Sequence, residues 1–257
     1  GAGPILAPQA EVETNFTLSP TKFEFDLAYE ESKEEELVIT NNLNSEQSFT
    51  LSTKSIGAVL SISEYEFTLG PKEYKRIILN AVSDREPGVP IGSLYVKSDY
   101  ETQVVPLVVE ISSQIVLFDA TIYVPNDYKE VMPGEEIPAQ ITLFNMGGPR
   151  KVDVLMNYMI TNIEGHIIYE ETETIAVEGQ QSFNRDFFIP ASAEYGTYVL
   201  AMEVIYVNSV ATSSTMFDVV SNVDRAAAQD YWLMYIILGI IVVIALIGFI
   251  IIMVRKR

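Results

Sequence analysis

A run of 24 residues, 231–254, most constrains what this chain can fold into, because it contains no Asp, Glu, Lys, Arg, His, Asn or Gln. As an α-helix rising about 1.5 Å per residue, it would be about 36 Å long, enough to cross a hydrocarbon core of about 30 Å. The alternative is a buried core helix, but such helices are shorter and carry a polar face. The run therefore predicts a transmembrane helix.

The flanks of this run predict its orientation. The expected anchor combines an aromatic cluster with a basic tail: Tyr231, Trp232, Tyr235, Arg255, Lys256 and Arg257. Aromatic rings settle in the headgroup layer, and the side richer in Lys and Arg stays in the cytoplasm. Residues 1–230 should therefore be extracytoplasmic and residues 255–257 cytoplasmic, as in a single-pass type I protein of the cell membrane.

The charge balance excludes some partners. The chain has 16 basic and 35 acidic residues, a net charge of −19. Three of the basic residues form the tail, so 13 basic residues face 35 acidic ones in the rest of the chain. Nucleic acid and an anionic bilayer surface both attract basic proteins, so neither is an expected partner of this acidic region. The large negative charge is explained by solubility, because it keeps exposed domains from self-associating. The alternative is that it attracts cations or a basic partner.

The absence of cysteine means that the exported part must be stable without disulfides. Two domains of about 100 residues can supply a sufficient core, and the lack of bridges points to a prokaryotic surface protein. The chain starts at Gly1 without an initiator Met. A cleaved signal peptide is the simplest explanation, although a trimmed chain would look the same.

Residues 15–112 show short strand patterns separated by turn signals. Phe23, Phe25 and Leu27 alternate with polar residues, which buries one face of a strand, and Gly70-Pro71 and 87–90 break the pattern. Seven or eight such strands without a helical period predict an antiparallel β-sandwich. Residues 1–14 are an irregular lead-in rich in Pro, Gly and Ala.

Residues 115–220 repeat this architecture with seven expected strands. A Pro-Gly-Glu turn at 132–136 precedes one strand, and Asn162 to Gly165 predicts a hairpin. Only residues 112–114 join the two units, which predicts a stiff tandem rod with the second domain nearer the membrane. A juxtamembrane segment, 221–230, follows, and its three alanines favour a helical continuation.

The first unit resembles the immunoglobulin-like sandwiches of the major-sperm-protein/ASH kind and the NEW3-type domains of prokaryotic surface proteins. The resemblance rests on the order of a Phe-x-Phe strand, a strand–Asn–turn step, a Leu-Gly-Pro-Lys-Glu step and a Gly-Ser-Leu-Tyr-Val strand, at 23–25, 36–42, 69–73 and 92–96. Position 72 is Lys where those families carry Gly. An antibody-type domain is excluded, because the chain has no Cys and its one Trp is Trp232.

The second unit is similar to CARDB-like and macroglobulin-like adhesion and scaffolding domains. The matching segments are Asn145-x-Gly147, Ile189-Pro190 and 195–198. These resemblances imply an all-β ectodomain of two tandem immunoglobulin-like sandwiches, followed by one C-terminal transmembrane helix. They imply a fold and not a reaction.

No catalytic constellation is expected. His166 is the only histidine, so His-based triads and zinc sites lack partners, and a surface position is the expectation. Glu171 and Glu173 would lie about 6.8 Å apart on one strand face, within the carboxylate range of inverting glycosidases. Alternating acids on a solvated strand give the same spacing. We expect no enzyme activity, no cofactor and no metal.

Two further features have open alternatives. The acidic run 30–36 could bind Ca²⁺, but it lacks the ligand pattern of an EF-hand and is better explained as a charged loop that protects a sheet edge. Asn15 begins the sequon Asn15-Phe16-Thr17 and is a candidate N-glycosylation site.

These observations favour a non-catalytic, membrane-anchored surface module that binds or scaffolds a surface protein or a glycan. The alternative is an accessory subunit whose transmembrane helix packs against other helices, for which Gly239, Ala245 and Gly248 offer small patches without a GxxxG pattern. A third hypothesis is an enzyme that acts on polysaccharide through Glu171 and Glu173.

Overall fold

The structure is a computed structural model that describes residues 14–84, 86–148 and 150–221. These residues form two β-sandwiches in succession, each around its own buried apolar core. The expected all-β fold of immunoglobulin-like sandwiches is therefore confirmed. The predicted transmembrane helix, 231–254, lies outside the described residues.

The first sandwich contains nine strands. They are β1 (Phe16–Ser19), β2 (Phe23–Ala28), β3 (Ser32–Asn41), β4 (Gln47–Lys54), β5 (Leu60–Ile62), β6 (Glu66–Leu69), β7 (Tyr74–Val82), β8 (Ile91–Ser98) and β9 (Thr102–Ser112). Sheet A has the order β1-β3-β7-β5 and sheet B the order β2-β9-β8-β4-β6. Alternate residues, such as Leu37 and Ile39 of β3, are fully buried between the two sheets.

The second sandwich contains eight strands and one short 3-10 helix at Asn126–Tyr128. The strands are β10 (Phe118–Tyr123), β11 (Glu130–Val131), β12 (Glu136–Asn145), β13 (Val152–Asn162), β14 (Ile167–Val177), β15 (Gln180–Phe188), β16 (Gly196–Tyr206) and β17 (Ser209–Val219). Sheet C has the order β10-β12-β15 and sheet D the order β11-β17-β16-β13-β14. The predicted hairpin after Asn162 is confirmed as the link between β13 and β14.

Both sandwiches begin in the same way. In each, the chain first adds an antiparallel strand to one sheet, β1 or β10, and then crosses to the other sheet. There it pairs in parallel with the last strand of the domain, β2 with β9 and β11 with β17. The second and last strands of each domain are thus joined, which ties the beginning of the domain to its end.

Both sandwiches also use a Pro turn closed by a Glu side chain. Glu73 accepts a hydrogen bond from the Gly70 N–H at 2.7 Å, and Glu135 accepts one from the Met132 N–H at 3.0 Å. The third residue of each turn has a left-handed backbone, with φ of 61° at Lys72 and 89° at Gly134. Lys72 therefore adopts the same backbone region without being glycine.

Some expected boundaries differ from the structure. The acidic run 30–36 is mostly strand, because Ser32 begins β3, which pairs with β7 along its length. The prediction of a loop there is wrong, but the predicted protection of a sheet edge agrees with the structure. Strand β1 covers only Val38 to Asn41 of β3, so the acidic half of β3 has one unpaired edge. The strand expected from 115 starts instead at Phe118, since Ile115 is exposed in the link.

The two sandwiches pack against each other through sheet faces. The outer face of sheet B meets the outer face of sheet D, and apolar residues from both fill the boundary: Val89, Ile91, Val108, Val199, Ala201 and Met216. On β9 these alternate with core residues such as Val109, and on β16 with core residues such as Leu200. Strands β9 and β16 are therefore buried on both faces.

Polar contacts fix the direction of this packing. Ser112 of β9 lies opposite Thr212 of β17, Glu110 binds Ser214, and Pro106 lines the same groove as Asp218. Strands β9 and β17 thus run antiparallel across the boundary. At its far end, Lys54 forms an ion pair with Glu164 of the β13–β14 turn at 2.8 Å.

The sandwiches therefore lie side by side and not end to end as in the expected rod. The apolar outer faces of sheets B and D cause this, because burying them against each other removes them from water. The three residues of β9 before Val105 carry the first sandwich about 10 Å past the level at which β17 ends. Within the described residues, no helix has the length and hydropathy needed to cross a bilayer.

Candidate functional site

Glu171 and Glu173, the candidate catalytic carboxylates, both bind Arg185. They lie on β14, the edge strand of sheet D, whereas Arg185 lies on β15, the edge strand of sheet C. Arg185 Nη1 is 2.5 Å from Glu173 Oε1, and Nη2 pairs with Glu171. The Arg185 side chain is only 19% exposed. The carboxylates therefore face the gap between the sheets.

Aromatic residues complete this cluster. The Tyr158 hydroxyl donates to Glu173 at 2.8 Å, and the Tyr169 hydroxyl donates to Glu171. The Arg185 guanidinium lies 4.7 Å from the centre of the Tyr158 ring, a cation–π distance. Burial and the hydrogen bond to Glu173 raise the pKa of Tyr158 far above its ordinary value. The cluster clamps sheets C and D along their open side.

This geometry does not fit an inverting glycosidase. Such an enzyme needs one carboxyl that holds a proton, through a raised pKa, and space for water between the pair. Hydrogen bonds from Tyr169 and Arg185 instead lower the pKa of Glu171. Arg185 occupies the space that a water or sugar would need, so the cluster stabilises the fold and blocks pairing at the β14 edge.

The other sequence candidates lie apart from one another. His166 is exposed at the β13–β14 turn, where its backbone N–H donates to Asn162 Oδ1 at 2.9 Å. Asn15 precedes β1, and its carbonyl accepts a hydrogen bond from Gln47 at 2.9 Å. Its glycosylation stays a prediction. In the described part of the chain, no group of three or more His, Asp or Glu residues is placed to hold a metal.

The boundary between the sandwiches contains two partly buried carboxyls. Burial raises the pKa of Glu110, and nearby Asp26 and Glu24 raise it further, against the hydrogen bond from Ser214. Burial likewise raises the pKa of Glu203, which accepts a hydrogen bond from Asn157 at 3.3 Å. The boundary thus favours the neutral form of each carboxyl more than water does, so we expect the stability of this packing to depend on pH.

Because sheets B and D cover each other, sheets A and C present their outer faces to solvent. On sheet A this face includes charged residues, among them Glu34, Glu36 and Arg76. On sheet C, nine residues in three neighbouring rows form what we call the sheet C face: Thr121, Tyr123, Asp119, Gln140, Thr142, Phe144, Gln180, Ser182 and Asn184. Asp119 is the one charged residue among these nine, and the next rows of the same outer face add Asp186 and Glu136.

The sheet C face is a regular grid of three rows. Strand pairing places Tyr123, Gln140 and Asn184 in one row, with a row of hydroxyls in the middle and the row of Phe144 last. In the middle row, Thr142 Oγ1 and Ser182 Oγ are 3.0 Å apart. Tyr123 is 50% exposed and Phe144 is 47% exposed. The face thus offers neutral hydrogen-bonding groups between two accessible rings.

The residues of the expected membrane anchor lie outside the described residues: Tyr231, Trp232, Tyr235, Arg255, Lys256 and Arg257. The chain leaves the described part after Ser221, beyond the end of β17. This exit lies at the end of the second sandwich beside Gly196 and Asp218, past which the first sandwich projects.

Comparisons with known proteins find likeness in structure only. No protein-family model matches the sequence, and no curated protein matches it. An ASH/PapD-like domain of human CEP192 is similar in structure, with 11% identity and a TM-score of 0.38, over 45% of this chain and 98% of that chain. The CARDB domain of a Pyrococcus furiosus protein, in complex with di-metal ions, has 15% identity and a TM-score of 0.29, over 42% of this chain and 95% of that chain.

A longer match spans both sandwiches. A protein of unknown function from Porphyromonas gingivalis has 12% identity and a TM-score of 0.43, over 78% of this chain and 99% of that chain. Likeness at this level concerns the immunoglobulin-like sandwich and says nothing about activity. The membrane anchor and the binding role are addressed by none of these matches.

Sequence reasoning missed Arg185 and the sheet C face. A signal for Arg185 existed, because it alternates with Phe183 and Phe187, which pack into the core, and the period of a strand places all three on the inward face. A partial signal for the sheet C face existed: alternate positions in 140–144 and 180–184 read Gln, Thr and Phe, and Gln, Ser and Asn. Only strand pairing shows that these positions form one surface.

Proposed function

We propose that this chain is a non-catalytic, membrane-anchored cell-surface protein whose two sandwiches bind or scaffold another surface protein or a glycan. The observation that carries the proposal is the packing of sheet B on sheet D. It joins the two sandwiches into one body and leaves the outer faces of sheets A and C free on that body. Regular strands hold such a face more firmly than loops would.

The membrane anchor in this proposal rests on the composition of 231–254 and its basic tail. The ten residues from Ser221 to Tyr231 span at most about 35 Å, so the sandwiches would stay close to the bilayer. The acidic surface then keeps them from adhering to anionic lipid headgroups.

Three experiments on the full chain test this proposal. The chain should remain in the membrane pellet after alkaline carbonate extraction, and protease added to intact cells should digest the sandwiches. Co-purification in mild detergent should then recover a cell-surface component. Release by carbonate would contradict the anchor, whereas a solitary monomer that binds no surface component would contradict the binding role.

The second candidate is an accessory subunit of a larger membrane complex. It is favoured by the side-by-side packing, which keeps both sandwiches near the bilayer and therefore near other subunits. In that case the transmembrane helix would supply contacts through Gly239, Ala245 and Gly248. Replacing 231–254 by an unrelated span should then abolish co-purification of the partners, and unchanged co-purification would exclude this function.

A further inference from the structure

We propose that the joint between the two sandwiches is a hinge that is closed in acid and opens as the pH rises, while each sandwich stays folded. This movement goes beyond the proposed function, because it involves neither the anchor nor a partner. The joint is small. Among the described residues, 22 buried apolar residues form the first core and 23 form the second, whereas six fill the boundary. Domains move relative to one another unless their interface is large and hydrophobic.

The two ends of the boundary are held unequally. At the link, the Ser113 N–H donates to the Val210 carbonyl at 2.9 Å, and the Val210 N–H donates to the Ser113 hydroxyl at 2.8 Å. At the far end, Lys54 pairs with Glu164, and the two side chains are 46% and 42% exposed. Exposed ion pairs contribute little to stability, because water competes for both charges. The link is therefore the pivot, and the far end is where the sandwiches part.

Each sandwich buries one of its own carboxyls against the other sandwich. Glu110 of the first sandwich accepts a hydrogen bond from the Ser214 hydroxyl of the second. Glu203 of the second sandwich reaches Gly88 of the first, where Glu203 Oε1 lies 3.3 Å from the position that a Cβ would take. Within the described residues, neither carboxyl forms an ion pair. An ionised carboxylate without a cation is costly in such a place, and opening the joint returns it to water.

The charged groups around Glu110 make its ionisation more costly. Burial is the main cause of its raised pKa, and Asp26 and Glu24 of β2 raise that pKa further. The groove beside Glu110 holds two more acids, Glu31 and Asp119. Two lysines near Glu24 are bound elsewhere, because Lys22 pairs with Glu24 itself and Lys129 donates to the backbone of β17. A charge on Glu110 therefore adds to a site that is already acidic.

Glu203 responds to pH in the same direction. Burial is the main cause of its raised pKa, and Glu170 of β14 raises it further, against the hydrogen bond from Asn157. In the open joint both carboxyls are hydrated, and their pKa returns towards the ordinary value of about 4.3. The closed joint is therefore fully favoured below that value, and it loses this contribution as the pH rises through the pKa of each carboxyl in the closed state.

The ion pair at the far end does not cause this pH response. The hydrogen bond between its partners raises the pKa of Lys54 and lowers that of Glu164, so both groups stay charged where the two boundary carboxyls titrate. The pair therefore has the same strength in the acid and the neutral range.

Ser93 gives the joint an uncharged reason to open. It alternates with the core residue Leu94 on β8, which turns Ser93 towards the boundary together with Ile91. Ser93 is fully buried, and its hydroxyl has no hydrogen-bond partner among the described residues. A buried polar group without a partner costs free energy, and opening the joint would hydrate this hydroxyl.

The test uses the full chain in mild detergent with spin labels on Tyr100→Cys and Tyr195→Cys. The two positions are 61% and 68% exposed, and each lies at the end of its sandwich that is remote from the link. The chain has no other cysteine. Pulsed electron paramagnetic resonance should give a single distance between the labels at about pH 4 and an additional, longer distance that gains population towards about pH 8. Far-UV circular dichroism should stay unchanged over this range.

Glu110→Gln combined with Glu203→Gln should keep the single short distance at about pH 8, because Gln is neutral at every pH. The matched control combines Glu66→Gln with Glu178→Gln, which removes the same charge from two exposed positions and should open as the wild type does.

Three results would overturn the inference. One is a single unchanged distance in the wild type across this pH range. Another is equal opening of the two double variants, since general repulsion between acidic sandwiches would then be the cause. The last is a longer distance accompanied by loss of the strand signal, which would show unfolding and not a hinge.

Discussion

The hydroxyl oxygens of Ser112 and Thr212 lie 3.1 Å apart across the boundary between the two sandwiches. The two residues are 100 positions apart in the sequence, and each belongs to the last strand of its own sandwich. Their contact is strengthened by Ser113, whose hydroxyl accepts a hydrogen bond from the Val210 N–H at 2.8 Å. This relationship defines the side-by-side arrangement on which the proposed function rests.

A disulfide should therefore form when Ser112→Cys and Thr212→Cys are combined. Oxygen atoms at this distance place the two β-carbons near the separation that a disulfide requires. The chain has no cysteine of its own, so any crosslink must come from the engineered pair. Mild oxidation followed by mass-spectrometric counting of free thiols measures the result.

The control for this crosslink combines Ser112→Cys with Ser182→Cys. Ser182 lies on the outer face of sheet C, on the far side of the second sandwich, so this pair should keep both thiols free. Free thiols in the Ser112/Thr212 pair after oxidation would show that the sandwiches do not pack as described.

Arg185→Met should lower the free energy of unfolding by about 2 kcal/mol. The substitution leaves the partly buried Glu173 and the exposed Glu171 close together without their shared cation. It also removes the cation–π contact with Tyr158. Urea unfolding followed by circular dichroism measures the change.

Arg76→Met is the matched control for Arg185. Arg76 pairs with Glu36 at 3.7 Å, and its side chain is 62% exposed, so the change should cost no more than about 0.5 kcal/mol. Equal effects of the two substitutions would mean that the Arg185 cluster is an ordinary surface ion pair.

Glu110→Gln should stabilise the protein more at about pH 8 than near pH 4. The pKa of Glu110 is raised in the folded state, so its contribution to stability is fully present below the unfolded pKa of about 4.3 and is lost as the pH rises through the folded pKa. Gln removes this loss, because it is neutral at every pH. Thermal unfolding of both proteins across this range measures the difference.

The comparison variant for Glu110 is Glu66→Gln, at an exposed position on β6. The difference in stability between Glu66→Gln and the wild type should not increase with pH as it does for Glu110→Gln. A constant offset between Glu110→Gln and the wild type from about pH 4 to pH 8 would contradict a raised pKa at the boundary.

Gly134→Ala should lower the free energy of unfolding by about 1 kcal/mol or slightly more. Its φ of 89° is a conformation that a side chain disfavours. At the equivalent turn position, Lys72→Gly should have a smaller effect, because relief of strain and the entropy gained by the unfolded chain offset each other. Equal losses in both variants, measured by urea unfolding, would show that the turn backbone is not the cause.

Much of each sandwich follows from local pattern. The alternation of Phe23, Phe25 and Leu27 correctly predicts a strand with one buried face, and all three are at most 4% exposed. The Pro-Gly-Glu turn before β12 and the hairpin after Asn162 are also where the sequence places them. Periodicity succeeds here because a pleated strand sends alternate side chains to opposite faces.

The candidate sites were less predictable. Glu171 and Glu173 were expected on a solvated face, and Glu171 is indeed 45% exposed, but both carboxylates also bind Arg185 across the gap between the sheets. Alternation shows that the two acids share a face and does not show which distant residue covers it. The surface position expected for His166 is as predicted, since a turn residue has few neighbours.

The sequence by itself determined the strand pattern, the turns, the acidic charge and the apolar run 231–254, because each depends on neighbouring residues. It also contained a sign of the boundary: Val108 beside Val109, and Val199 beside Leu200, mark strands with two apolar faces. Only the tertiary structure decided that these faces cover each other, which sets the sandwiches side by side and leaves the sheet C face open. The physical reason is that the period of a strand assigns residues to faces, whereas what covers a face depends on contacts between residues far apart in the chain.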